Sequence, residues 1–369
     1  MTGGLIVVFG IIAMIMIHEG GHFLAAKATG MKVTEFFFGF GPKLWSIRRG
    51  ETEYGVKAFP LGGYVRIVGM NPYEEVAPED LGRTYREQKF SAKAIVVLAG
   101  VASHFIVAFL LFYTVASILG VSVSTTTVAS VQATLADGTP SPAAAAGILP
   151  GDRIAAIGGV ETETWSEAVE VIVEHPGDAV VVVVVRGEQT LEIPVTLAAV
   201  DDEEGGERGF LGVRAASTKE RSDPIAGIGE AGAAVGKATV ASAEGLWRMV
   251  SGFGGLVEAV ITGDAEGIED RRPASPIGLV RIGAQTEHLG IAFTLELLAL
   301  VNVFVGLFNI VPIYPLDGGH FAVALYEKVR GRPADVRKLA PIVAVVVAFL
   351  VLLGVLAIYL DIANPFTLR

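Results

Sequence analysis

Cysteine is missing from all 369 residues, which excludes disulfides, cysteine zinc sites and thiol catalysis together. Charge is scarce: 18% of the residues are Asp, Glu, Lys or Arg, fewer than a soluble domain of this length normally carries. There is no internal repeat, no repeated pair of broken spans of the kind transporters use, and no nucleic-acid signature. What fills the chain is apolar: 52% of it is hydrophobic and its mean hydropathy is +0.56. Four stretches, roughly Gly4–Ala26, Ala94–Leu119, Gly290–Pro312 and Pro341–Leu360, are long enough to cross a hydrocarbon core, which takes about 20 helical residues. They predict an α-helical polytopic membrane protein embedded in a lipid bilayer, with polar segments at about 28–93 and 120–289.

The first run, Gly3–Ile17, has no basic residues before it and leads directly into polar His18, Glu19 and His22. It therefore reads as a retained span, not a cleaved signal peptide. Charge sets the orientation. The net value is −11, but the loop after span one is rich in Lys27, Lys32, Lys43, Arg48, Arg49, Lys57 and Arg66. The loop after span three holds Lys328, Arg330, Arg332, Arg337 and Lys338. By the positive-inside rule both face the cytoplasm. The acidic 120–289 segment and both termini then lie outside, and its run Asp201, Asp202, Glu203 and Glu204 reads as solvated surface.

Four regions follow: 1–119 with the first two spans, 120–200 as a soluble module, 201–289 as a linker with amphipathic helices, and 290–369 with the last two spans. After span one comes a Gly- and aromatic-rich loop, Phe36–Pro42. Residues 52–67, with Gly62, Gly63 and Tyr64 at a break in apolar alternation, read as a β-hairpin. A surface hairpin and one dipping into the membrane both fit. The soluble module predicts a short helix after Ser141 ended by Gly147, a strand at 154–157, a helix at 165–174, and strands at 180–185 and 191–197. That order, with its Ser-Pro-Ala-Ala and Pro-Gly-Asp signatures, resembles a bacterial PDZ domain, a fold that binds chain ends by adding a strand to a sheet edge. Helical periodicity returns around Ala238–Ile261, where Trp247, Met249, Val250 and Phe253 can pack on the membrane surface or the module.

The chemistry sits in His18-Glu19-Gly20-Gly21-His22. Residues four apart stack on one helix face, so both imidazoles can bind one Zn²⁺ while Glu19 takes a proton from metal-bound water. Ionisable groups inside a span are costly and functional by default. A third ligand is needed, and Asp317 at the far end of span three is a candidate, because Pro312, Pro315 and the pair Gly318-Gly319 break the helix there. The depths agree. His18 lies about 14 residues, or roughly 21 Å, below the outer surface of a core about 30 Å thick, toward the cytoplasmic side, where span three also ends.

Taken together, His18-Glu19-Gly20-Gly21-His22, Phe38-Gly39-Phe40-Gly41-Pro42, the Gly62-Gly63-Tyr64 element and Asn309, Pro312, Leu316-Asp317-Gly318 resemble the site-2 protease family over nearly the whole chain. The closest likeness is to bacterial regulators of sigma-factor signalling with one PDZ domain, as in actinobacterial members. The resemblance implies a zinc metalloendopeptidase of the cell inner or plasma membrane, with four transmembrane helices, a membrane-re-entrant β-hairpin and an inserted α+β PDZ domain. It implies His18, His22 and Asp317 as zinc ligands, Glu19 as general base, and Asn309, Pro312, Gly62, Gly63 and Tyr64 as substrate-binding residues. It further implies regulated intramembrane proteolysis of single-pass substrates, such as anti-sigma factors already cut outside or signal-peptide remnants, with the PDZ domain receiving substrate C-termini. One departure stands out: the family's usual Gly-Pro-x-x-Asn in span two reads Gly100-Val-Ala-Ser-His104 here. His104 can hydrogen-bond near the zinc or ligate it, and His320 can orient Asp317 or reach the interface. His175 and His288 read as surface residues. A proteolytically dead PDZ adaptor would not need the full His, His, Asp and Glu set, and zincins facing the cytosol typically take a late Glu as third ligand.

Overall fold

The computed structural model describes residues 2–71, 74–201, 206–264, 267–268, 272–332, 334–335 and 339–363. Arg337 and Lys338, and Asp202, Glu203 and Glu204 of the acidic run, lie outside the described residues. The chain forms two compact units, one of Met1–Ile118 with Ser222–Arg369 and one of Leu119–Arg221.

The first unit opens with α1 (Thr2–Ala28), two long strands β1 (Val33–Arg49) and β2 (Thr52–Ile67), and α2 (Phe90–Tyr113), which a π-helical turn draws out to Leu119. Both helices are apolar enough and long enough to span a membrane. They touch at backbone distance, because a Cβ on Gly21 would lie 2.5 Å from the Ala99 carbonyl oxygen. Small residues at such crossings are what lets membrane helices pack closely.

The sheet departs from the expected hairpin. Residues 36–42 are strand, not loop, and the two halves of 52–67 do not pair with each other. The tight turn lies at Gly50-Glu51, where Arg49 pairs with Thr52, Ile47 with Tyr54 and Trp45 with Val56. Gly50 has φ +62°, the value a II′ hairpin turn gives its first residue. The bend at Gly62-Gly63 then sends the chain to the other side of β1, so Phe36 pairs with both Tyr54 and Val65, and Phe38 with both Val56 and Gly63. Residues 63–67 thereby become an edge, and their other side turns toward α1.

The second unit is built on an antiparallel sheet. Its elements are β3 (Val121–Val131), α3 (Pro142–Ala146), β4 (Arg153–Ile157), β5 (Val160–Glu161), α4 (Trp165–Val173), β6 (Ala179–Arg186), β7 (Gln189–Thr196), β8 (Ala198–Asp201), β9 (Glu207–Phe210) and β10 (Val213–Glu220). The strand order is β10-β3-β4-β6-β7 with β5 on β4, and β8 and β9 form a separate ribbon. Local signals act as expected: Ser141 caps α3, Gly147 ends it at φ +75°, and Thr164 with Glu167 makes a capping box on α4. Ile154, Ile157, Val182 and Val184 bury one sheet face against Ala168 and Ile172 of α4. The Pro-Gly-Asp turn is tied down by Asp152, 1% exposed, which accepts two 2.7 Å bonds from Arg186 and one of 2.9 Å from the Leu149 amide. The Arg186 guanidinium holds the Asp152 carboxyl below its ordinary pKa. The unit does not stop at residue 200, because β10 pairs along β3 from Val213 opposite Val131 to Glu220 opposite Val121. Residues expected as linker are therefore its edge strand.

The chain re-enters the first unit where the Ser222 amide donates to the Ala116 carbonyl at 3.1 Å. There follow α5 (Pro224–Thr262), capped by Asp223, then α6 (Pro276–Gln285), α7 (Ile291–Ile310), α8 (Asp317–Arg330) and α9 (Ala340–Ala363). Of these, α7 and α9 are both long and apolar enough to span a membrane, giving four with α1 and α2 among the described residues. On α5, Trp247 is 73% exposed, while Phe253 meets Phe349 of α9 edge to face. The end of α9 is pinned by Asp361, whose carboxylate takes Arg272 at 3.0 Å and the Ser275 and Gly278 amides at 2.8 and 3.1 Å. Otherwise α9 turns apolar side chains outward along its length, a surface suited to lipid.

Candidate metal centre

His18 and His22 stand one turn apart on α1, and Asp317 is the first residue of α8. A short reversal brings the carboxylate to them. After Ile310 the chain folds back through Pro312 and Pro315 so tightly that a Cβ on Gly318 would lie 2.1 Å from the Ile310 carbonyl oxygen. One on Gly319 would lie 2.5 Å from the Tyr314 amide nitrogen. Only glycine fits either place.

Three atoms converge. His18 Nε2 and His22 Nε2 are 3.2 Å apart, and Asp317 Oδ2 is 3.3 Å from each. Four ligands placed tetrahedrally at about 2.0–2.1 Å from zinc stand roughly 3.3–3.4 Å from one another, so this near-equilateral triangle has the size that zinc requires. The protons agree. His22 Nδ1 donates to the Val96 carbonyl at 2.8 Å, which leaves its Nε2 a bare lone pair. Asp317 Oδ2 is buried without a hydrogen bond despite both nearby nitrogens. Three lone pairs facing one point inside a protein repel unless a cation sits between them. The donor set, two imidazoles and a carboxylate, is one zinc takes with a fourth position open.

Glu19 is half-buried on the same helix. Gly63 packs beside it, since a Cβ there would meet Met16 Sδ at 3.2 Å and Glu19 Cγ at 3.3 Å. The backbone of Val65, on the edge segment of β2, lies close to the Glu19 side chain. Of the other residues singled out in the sequence, Gly62 faces the Phe40 ring, and Tyr64 stacks on Phe37 and Phe40 with its hydroxyl donated to Glu35. Asn309 is half-buried in the last turn of α7, and Pro312 is exposed in the reversal after it.

His104 lies in α2, 2% exposed, with its ring centroid 4.7 Å from that of His18. It does not belong to the cluster of atoms that could share one ion. His104 Nδ1 instead stands 3.2 Å from Oδ1 of Asn302, a residue of α7 that sequence reasoning passed over. A polar side chain in the middle of a span was the available signal. His320 bonds the Tyr314 hydroxyl at 2.9 Å. His175 is half-buried and bonds the Val171 carbonyl, closing α4, while His288 is exposed.

Membrane-length helices that bring together a His, His and Asp cluster, with His22 buried and a carboxylate alongside, are the architecture of a membrane metallopeptidase. The comparisons with known proteins specify it further. The sequence model of Peptidase family M50 matches residues 6–353. The chain is similar to zinc metalloprotease Rip1 of Mycobacterium tuberculosis (strain H37Rv), 33% identical over 100% of this chain and 98% of that protein. It is also similar to zinc metalloprotease Rip1 of Mycolicibacterium smegmatis, 32% identical over 97% of this chain and 96% of that protein. The chain belongs to peptidase family M50, the site-2 protease family, and is a membrane zinc metalloendopeptidase.

Proposed function

We propose that this enzyme cleaves single-pass transmembrane substrates within the bilayer, with His18, His22 and Asp317 as zinc ligands and Glu19 as general base. The observation that carries the reading is the triangle of ligand atoms, 3.2 to 3.3 Å on a side, on membrane-length α1 and the reversal after α7. Bound zinc would supply a Lewis acid for the scissile carbonyl and make a water acidic enough to lose a proton near neutral pH. Glu19 takes the proton of that water and returns it to the departing nitrogen.

A transmembrane helix hides its carbonyls, so the substrate must be locally extended. The 63–67 edge of β2 offers backbone partners to such a segment, and a strand added there would run past Glu19. We assign Gly62, Gly63 and Tyr64 to this element and read it as re-entrant. Asn309 and Pro312 hold the substrate from the end of α7. The basic segments after α1 and α7 argue for a cytoplasmic-side active site with the termini and the second unit outside. That unit we read as a PDZ domain that takes chain ends and holds back substrates whose outer part is still intact. Anti-sigma-factor-like proteins and signal-peptide remnants fit this scheme of regulated intramembrane proteolysis.

The test is co-expression with candidate single-pass substrates and mapping of the cut, with Glu19→Gln beside wild type. The purified variant keeps its zinc and loses about 10²–10⁴ in turnover, the span general bases usually supply. Wild-type cleavage by Glu19→Gln would overturn the assignment.

A further inference from the structure

His18 and His22 both turn Nε2 to the ligand triangle, so in each neutral ring the proton sits on Nδ1. For His22 that proton goes to the Val96 carbonyl. For His18 it has no acceptor: Nδ1 is buried and without a hydrogen bond. The Gly100 carbonyl is close to this ring, but it takes the Ser103 hydroxyl at 2.6 Å and is out of hydrogen-bond geometry with His18 Nδ1. An unsupported second nitrogen is unusual in a metal-binding histidine, which almost always donates it to a carbonyl, carboxylate or water.

A complementary orphan lies on the neighbouring ring. His104 Nδ1 is 3.2 Å from Asn302 Oδ1, and the Asn302 amide is fixed because its Nδ2 donates to the Leu298 carbonyl at 2.8 Å. Oδ1 is therefore the acceptor, His104 Nδ1 is the donor, and His104 Nε2 is left as a lone pair. That Nε2 is buried and has no partner. A donor and an acceptor, both orphaned, thus stand on rings whose centroids are 4.7 Å apart and whose planes meet at 30°.

We propose that His104, oriented by Asn302, is a positioning residue for His18: one shared water accepts the His18 Nδ1 proton and donates to His104 Nε2. This rests on the reading of His18 as a zinc ligand. Buried waters usually serve otherwise unsatisfied polar groups of this kind. The relay runs from the Leu298 carbonyl through Asn302, His104 and the water to His18, so one ligand on α1 is steadied by α2 and α7. It also gives a reason for His104 and Asn302 to occupy facing positions on two different spans.

The experiment is zinc affinity of the purified full chain, measured by competition with a chromophoric chelator, together with the unfolding midpoint of the zinc-free protein. His104→Phe and Asn302→Leu are expected to weaken zinc by about 10–100-fold with the zinc-free midpoint unchanged. Asn302→Asp keeps an acceptor for His104 Nδ1 and is expected to stay within a few-fold of wild type. Wild-type zinc affinity in Asn302→Leu, or equal loss in Asn302→Asp and Asn302→Leu, overturns the proposal. The Asn302 pair decides the matter even where His104→Phe does not fold. His22→Ala separates the two levels: retained zinc there defeats the ligand assignment itself, whereas zinc lost there and kept in Asn302→Leu defeats only the relay.

Discussion

Adding one methyl group at Gly100 should empty the metal centre. A Cβ there would fall 2.2 Å from His22 Nε2 and 2.3 Å from Cε1, so the ring must retreat by about 1 Å to reach ordinary contact. It cannot simply swing aside, because Nδ1 is anchored on the Val96 carbonyl and Nε2 is one corner of the ligand triangle. Parting the helices instead would open the close approach at Gly21, where a Cβ would lie 2.5 Å from the Ala99 carbonyl oxygen. A shift of about 1 Å against a zinc–nitrogen bond of about 2.0–2.1 Å takes the nitrogen out of coordination. Alanine favours the helix itself by about 1 kcal/mol over glycine, so loss of helix is not the cause. We expect Gly100→Ala to bind zinc at least ~100-fold more weakly, about 2.7 kcal/mol, measured by chelator competition and zinc content of the purified protein. Gly20→Ala is the matched control, since a Cβ at Gly20 meets nothing within 4 Å, and it should hold zinc and cleave as wild type does. Wild-type zinc affinity in Gly100→Ala, or an equal loss in Gly20→Ala, would refute this packing argument.

Four further outcomes are expected. Arg186→Leu takes the guanidinium from the Asp152 carboxylate and should loosen the turn it ties down, read as faster amide exchange around Leu149–Asp152. In wild type Asp152 is held below its ordinary pKa, so its contribution is complete above about pH 3.9 and disappears as pH falls through the folded value; protection of that turn should be level from pH 7 to 4 and drop below. Asp361→Leu leaves Arg272 facing the gap and two amides without their acceptor, and should lower the unfolding midpoint of the zinc-loaded protein with cleavage at permissive temperature retained. Replacing residues 121–220 by a short linker should let substrates with intact outer parts be cut; continued refusal of such substrates would remove the filter role.

Local chemistry was readable from the sequence wherever neighbours along the chain decide the outcome. The four apolar runs became helices within a few residues of the expected ends, and Ser141, Gly147 and the Trp165–Val173 periodicity behaved as capping and amphipathic rules require. His18 and His22 were legible for the same reason, since spacing on one helix fixes their geometry. What failed was non-local. Nothing near Gly62 says that residues 63–67 pass to the far side of β1, because that choice depends on edges offered by residues about thirty positions earlier. The strand at Val213–Glu220 was hidden likewise, as its partner is β3, across the whole module. Asn302 and His104 carry meaning only as a pair, and 198 positions separate them.

Residues 119–221 leave and return to the first unit at neighbouring points: the Ser222 amide bonds the Ala116 carbonyl, and within the insertion Val121 stands opposite Glu220. A loop closed so near its base is interchangeable cargo. An insertion whose two ends meet can change in length and fold without moving those ends apart. The same membrane scaffold could thus carry a different insertion, a tandem of them, or none, without any change at His18, His22 and Asp317.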